Sequence, residues 1–163
     1  LASSHPMSEA TLVRLLVFRV GNLICAAEVD QVREILPRLP TTRIPGAPPV
    51  VAGLANVRGT LVTVVEGWRA LGQPEPAPGA GDGGSTVLLE VGGSRTLAGF
   101  TVDEVMDILA VGAATLEERA GGGLAGVDPM LVRAVGRRAD QLFVVLDVAA
   151  LLGPILTIQG RAQ

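Results

Sequence analysis

The chain has 163 residues, a mass of 16.7 kDa and 48% apolar residues, enough for one domain with a real core, built at most as two small lobes, and too little for separate catalytic and regulatory domains. A formal charge of -3 with only 18% charged residues removes the positive excess on which nucleic-acid binding rests. The 13 basic residues are all Arg, so Schiff-base lysine chemistry and a phosphate-loop lysine have no candidate, and Tyr is absent as well. A lone cysteine, Cys25, excludes an intramolecular disulfide framework and a cysteine-rich metal site, and it favours a reducing, cytoplasmic setting.

Residues 1–11, with Ser3-Ser4-His5-Pro6 ahead of Met7, read as a cloning remnant and tail, so His5 is set aside. Residues 12–20 form a dense apolar run expected as a strand covered on both faces, and residues 23–27 resume it after a Gly21-Asn22 turn. Val29, Val32, Ile35 and Leu36 among acids suggest a short helical turn running into a strand. Pro37, Pro40, Pro45, Pro48 and Pro49 then force an irregular connector, because each removes a donor and fixes its backbone. Two apolar runs, 50–57 and 61–65, flank an Arg58-Gly59 turn, and 66–71 has room for a turn or two of helix. The Pro- and Gly-rich stretch 74–85 reads as a mobile hairpin or linker. Further strands are expected over 86–91, 96–100, 106–111, 131–135 and 142–146, interrupted by Gly121 to Gly123 and Asp128-Pro129 and closed by a short helix over 147–152. No apolar run is long enough to span a membrane; the greasy stretch 151–158 carries Gly153 and Pro154.

The chain also resembles itself. Residues 29–36 align with 102–109 at an offset of 73, keeping Val, Asp, Val, Ile and Leu, and residues 61–72 align with 142–153 at an offset of 81. In each second segment a strand-like run meets an acid, Glu66 or Asp147, placed to cap a short helix. Two echoes in the same order predict a duplicated unit.

Candidates for chemistry are few. The single His lies outside the domain, leaving no imidazole base or His metal cluster. Cys25, between Ile24 and Ala26, reads as core filling rather than a nucleophile. Asp30 with Glu34, and Asp103 with Asp107, are four apart, a spacing that would place each pair on one helix face as solvated or partner-binding charge. Residues 79–84 spell G-x-G-x-x-G but precede a strand rather than open a helix, so the dinucleotide reading fails on context. No catalytic residue, metal site or cofactor is expected. Arg58 stands out as a turn guanidinium able to reach a partner's carboxylate, with an ordinary turn residue as the alternative. Trp68 is expected to pack across a lobe, on a helix that Gly67 loosens.

Gly21 to Leu36, the Ile44-Pro45-Gly46-Ala47-Pro48 string, Val51 through Asn56-Val57-Arg58-Gly59 to Val65, Gly99 to Val105 and Leu142 to Leu152 together resemble the CheW-like chemotaxis coupling domain, in that family's order and spacing across residues 12–153. The resemblance implies an all-β fold of two SH3-like five-stranded β-barrel lobes sharing a hydrophobic core, with short helices, followed by a C-terminal tail at 154–163. It implies a non-enzymatic adaptor that joins the tips of methyl-accepting chemoreceptors to the regulatory domain of the histidine kinase CheA. Such an adaptor works in the cytoplasm, recruited to membrane-associated receptor arrays, without nucleic acid or membrane insertion. Partner contacts fall on Arg58, Val32 and Glu34, and, through the repeat, on Val102 and Val105. Thr63-Val64-Val65-Glu66-Gly67 departs from the family's Pro-Val-Ile-Asp-Leu. A regulatory domain cut from a larger kinase or receiver fusion, or an adaptor in a non-motility pathway, are the alternatives.

Overall fold

The computed structural model describes residues 11–77, 79, 83–93, 95–118 and 126–161. The described chain runs β1 (Leu12–Val20), β2 (Leu23–Glu28), β3 (Val32–Pro37), β4 (Val51–Val57), β5 (Thr60–Val65), α1 (Gly67–Ala70), β6 (Ser85–Val91), β7 (Thr96–Val102), β8 (Glu104–Gly112), β9 (Glu117–Glu118), β10 (Val132–Arg138), β11 (Gln141–Leu146) and α2 (Val148–Arg161). A 3-10 turn over Val29–Gln31 leads into β3, as the spacing of that segment predicts. The acid pairs therefore do not share helix faces: Asp30 sits in this turn, while Glu34 and Asp107 lie on strands. The helix after Asp147 continues through Pro154 to Arg161, well past the expected stop near Leu152. Asp147 accepts a hydrogen bond from the Ala150 N–H at 3.0 Å, whereas Glu66 makes no side-chain cap and turns to Arg69 instead, at 3.1 Å.

Two sheets carry the fold, a six-stranded one in the order β8-β1-β2-β11-β10-β9 and a five-stranded one in the order β3-β6-β7-β5-β4. Exchanging β1, β2, β3, β4 and β5 for β6, β7, β8, β10 and β11 turns one order into the other, with β9 as an addition. Each sheet thus takes the first hairpin of one repeat and the remaining strands of the other. The registers agree with the offsets found in the sequence. Val144 and Val145 lie opposite Cys25 and Ala26 in one parallel pair, and Thr63 and Val64 lie opposite Ala98 and Gly99 in the other. Bulges recur at equivalent points as well: the ladders skip Arg33 and Met106, and again Ala52 and Arg133.

The sheets are not closed barrels, and this corrects the expected fold. In the five-stranded sheet the outer strands β3 and β4 share no ladder. Laid flat, strands about 4.8 Å apart would hold these edges about 19 Å from each other. The edges are instead bridged by an ion pair between Glu34 of β3 and Arg58 beside β4, so the sheet is strongly curled. Among the described residues, the connector after β3 pairs with β4 through the isolated Thr42–Leu54 bridge. Prolines limit closure: β3 ends at Pro37, and Pro40, Pro45, Pro48 and Pro49 in the connector each remove a backbone donor that a continuous closing ladder would use. In the larger sheet β9 occupies the edge of β10 that closure would need.

Strand β1 is buried on both faces, as its sequence implies. Leu16, Phe18 and Val20 join a core shared by both sheets, with Leu89, Phe100, Val144 and Leu152, while Leu15 and Val17 fill the inside of the larger curl with Phe143 and Val145. Cys25 belongs to the shared core, and burial pushes its thiol pKa far up, which keeps it protonated and unreactive. Trp68 packs half-buried against the same core. Inside the smaller curl, Thr86 is fully buried and its hydroxyl has no hydrogen-bond partner among the described residues. Replacing Thr86→Val, which keeps the shape and removes the stranded hydroxyl, is expected to raise the unfolding free energy by about 1 kcal/mol. A urea titration reads this directly; a lowered midpoint would show that the hydroxyl is satisfied after all.

Candidate functional site

The β4–β5 hairpin turns through Arg58 and Gly59, with φ of 51° and 86°. Two consecutive residues at positive φ define the hairpin turn whose twist matches that of the flanking strands. Gly adopts this freely and Arg does not, so Arg58 is held there by its surroundings. Asn56 supplies part of the hold, accepting a hydrogen bond from the Gly59 N–H at 2.7 Å. At the equivalent turn of the second repeat Ala139 has φ of 53°, so the left-handed position belongs to the repeat and the guanidinium is particular to the first copy.

From this turn Arg58 reaches across the mouth of the smaller curl to Glu34. Its Nη1 donates to Glu34 Oε1 at 2.7 Å, and its Nη2 donates to Oε2, a two-pronged contact. The Arg58 side chain is 69% exposed and that of Glu34 29%, so the arginine stays largely open to solvent while paired. Beneath the pair lies a cleft of about 280 Å³ lined by Val57, Val62, Leu88 and Leu97, with Arg33 and Thr60 at its rim. Arg33 is turned toward Glu90, its own ion-pair partner. The arrangement offers an apolar floor under a charged, exposed bar. It offers no converging acids for proton transfer, and no group of three His, Cys, Asp or Glu able to hold a metal occurs among the described residues.

The Arg58 hydrogen bonds hold the Glu34 carboxyl below the usual carboxylate range, and the same contact raises Arg58. Because the folded value of Glu34 lies below the unfolded one, the attraction is present above the ordinary carboxylate range and is lost as pH falls through the folded value. A carboxyl-detected NMR titration should place the Glu34 midpoint below that of an unpaired Glu, and Arg58→Gln should move it back up. An unchanged midpoint in that variant would mean the pair does not persist in solution.

Of the residues singled out in the sequence, Arg58 and Glu34 are brought into direct contact. Val32 stands two residues from Glu34 on β3, half-buried and packed against the shared core. Val105, its counterpart in the repeat, packs half-buried against the same core. Val102 is 1% exposed within it, so that side chain contributes packing. Sequence reasoning missed the pairing of Glu34 with Arg58, since they are 24 positions apart in different strands. Asp103, read from the sequence as solvated or partner-binding charge, instead accepts the Gly21 N–H at 2.7 Å and pairs with Arg19 at 3.4 Å, tying the β1–β2 turn to the start of β8.

No helix among the described residues is long and apolar enough to cross a membrane. The chain is similar to the chemotaxis protein CheW of Bacillus subtilis, 26% identical over 139 residues that cover 85% of this chain and 86% of that one. It is 33% identical to the chemotaxis protein CheW of Rhizobium meliloti over 97 residues, 60% of each chain. Its fold is similar to the crystal structure of the scaffolding protein TtCheW from Thermoanaerobacter tengcongensis, with a TM-score of 0.76, 18% identity, and coverage of 86% of this chain and 92% of that one. The CheW-like domain pattern matches residues 14–155, nearly the whole described fold, and the chain therefore belongs to the CheW-like domain family.

Proposed function

We propose that this chain is a chemotaxis scaffold of the CheW type, non-catalytic, coupling the cytoplasmic tips of chemoreceptors to the histidine kinase CheA within membrane-associated arrays. The observation that carries the reading is the Arg58–Glu34 bar, exposed over an apolar cleft on a body that belongs to the CheW-like family. A guanidinium held by a single carboxylate keeps donors free for a second, and the floor of Val57, Val62, Leu88 and Leu97 accepts an apolar side chain beside it. Val32, Glu34 and Val105 extend the partner-facing surface along the two equivalent strands, and Val102 supports it from within. Moderate affinity at each face suffices, because neighbouring contacts in an array raise the effective concentration.

Replacing Arg58→Glu sets a second carboxylate against Glu34 and reverses the charge shown to the partner. Binding to receptor tips from the same cell is expected to weaken by about tenfold, with reconstituted kinase control lost in proportion and the urea midpoint nearly unchanged. Undiminished receptor binding and kinase control in that variant would remove Arg58 from the receptor-facing surface.

A further inference from the structure

The first repeat, β1 to β5, and the second, β6 to β11, meet through four ladders: β1 with β8, β2 with β11, β3 with β6 and β5 with β7. What stays inside a repeat is the hairpins β1–β2, β4–β5, β6–β7 and β10–β11, with the two-residue β9 added to the last. Isolated hairpins do not hold in water, so neither repeat keeps a sheet without the other. The interiors divide the same way. Leu16 and Phe18 of the first repeat pack with Leu89, Phe100 and Val144 of the second in the shared core. Polar contacts then make this seam selective. Arg33 of β3 pairs with Glu90 of β6, and Arg133 of β10 pairs with Glu28 of β2. The Gly67 N–H donates to Thr101 Oγ1 at 2.9 Å, and the Gly21 N–H to the Asp103 carboxylate at 2.7 Å.

The matched registers place Arg19 at the position of Glu90, and Ala27 at that of Phe100. Pairing one first repeat with another would therefore set Arg33 against Arg19 and deprive Phe18 of its ring partner. Pairing two second repeats would give Arg133 the hydroxyl of Thr101 in place of the Glu28 carboxylate. We infer that the seam between the repeats is a self-recognition surface whose fitting partner is the opposite repeat, of the same copy or of a second copy of this chain. The contacts are identical in either case, so the covalent connection alone decides between them. Residues 74–83 join the halves and span at most about 35 Å when fully extended. A connector of that length holds the halves of one copy at an effective concentration on the order of 1 mM. In dilute solution each chain closes on itself, and at comparable concentration two copies trade halves. The exchanged pair carries two complete bodies tied by two connectors, a bivalent form of the single body. This inference needs no partner assignment and stands apart from the receptor-facing reading of Arg58.

Cutting the connector tests the seam. A site-specific protease sequence placed between Pro76 and the exposed Ala77 lets the folded full chain be cleaved between its repeats. The two fragments are expected to elute together at the size of the parent. Their melting midpoint should rise by about 5 °C for each tenfold increase in concentration, as the unfolding enthalpy of a chain this size dictates for a two-part complex, while the uncut protein shows no such dependence. Glu90→Arg should weaken association of the fragments about fivefold, and adding Arg33→Glu should restore it. Fragments that part on cutting, a midpoint independent of concentration after cutting, or a charge swap that restores nothing would overturn the inference. The unaltered chain gives a second reading that no insertion can disturb. Isotope-labelled and unlabelled copies, unfolded in urea and refolded together at about 1 mM, should yield pairs of mixed mass with native circular dichroism. Monomers alone would confine recognition to the halves of one chain and overturn the exchange.

Discussion

Gly67→Ala is expected to destabilise the protein by about 3 kcal/mol and lower its melting temperature by about 10 °C. Gly67 opens the single turn of α1, where a Cβ would sit 2.1 Å from the Thr101 carbonyl oxygen and 3.1 Å from the Phe100 ring. The first contact is with backbone of β7, an inner strand paired on both sides, so it has nowhere to move. Close approach also places the Gly67 N–H 2.9 Å from Thr101 Oγ1, so any retreat by the helix sacrifices a buried hydrogen bond as well as packing. Read only as a sequence, Gly67 looks like a weak point in a helix. In the fold it is the residue that lets the helix lie on the strand. Thermal and urea unfolding of the variant check the size of the effect, and a loss below 1 kcal/mol would show that α1 can shift without cost.

Much of this fold was legible because its information is local. The dense apolar run over β1, the Pro-rich connector and the Arg58-Gly59 hairpin turn follow from residue type alone, and the observed elements sit where those signals place them. The duplication was legible too, and it carried further than any element: the offsets of 73 and 81 reappear as matched registers and matched bulges in both sheets. The exchange of first hairpins between sheets left no such mark. A continuous apolar run records that both faces of a strand are covered and is silent on which strand lies beside it, so β2 against β11 could not be read from either segment. Closure was misjudged for a similar reason. Strand lengths and apolar faces suit a barrel, but whether the last edge pairs depends on free donors in a connector whose path the sequence does not set. At the candidate site, Arg58 was identifiable from its turn, whereas its partnership with Glu34 exists only because the sheet curls. The helix α2 outran expectation because Pro154 and Gly153 are signals of termination that tertiary contact overrides: Ile155 and Leu156, beyond them, pack against the shared core.

Truncating Phe100→Ala should be the most damaging single change in the shared core, costing about 4 kcal/mol. Phe100 is fully buried in β7 of the five-stranded sheet, and its ring meets that of Phe18, from β1 of the six-stranded sheet, edge to face at a centroid separation of 6.1 Å. With both rings fully buried, the neighbouring backbone cannot collapse into the space without breaking ladders in two sheets at once, so most of the cavity cost remains. Domains of this size are held by about 5–15 kcal/mol, and the variant would therefore retain a thin margin at best. Phe100→Leu, which keeps more of the volume, offers a folded companion with a smaller loss. Because the contact joins the sheets, unfolding should stay a single cooperative transition in both variants, with fluorescence of Trp68 and backbone circular dichroism falling together. A double-mutant cycle with Phe18→Leu is expected to give a coupling of about 1 kcal/mol, the additional worth of an aromatic pair beyond its buried area. Two separated transitions, or full additivity in that cycle, would mean that each sheet is held by its own interior and that the seam between them is a contact surface rather than a core.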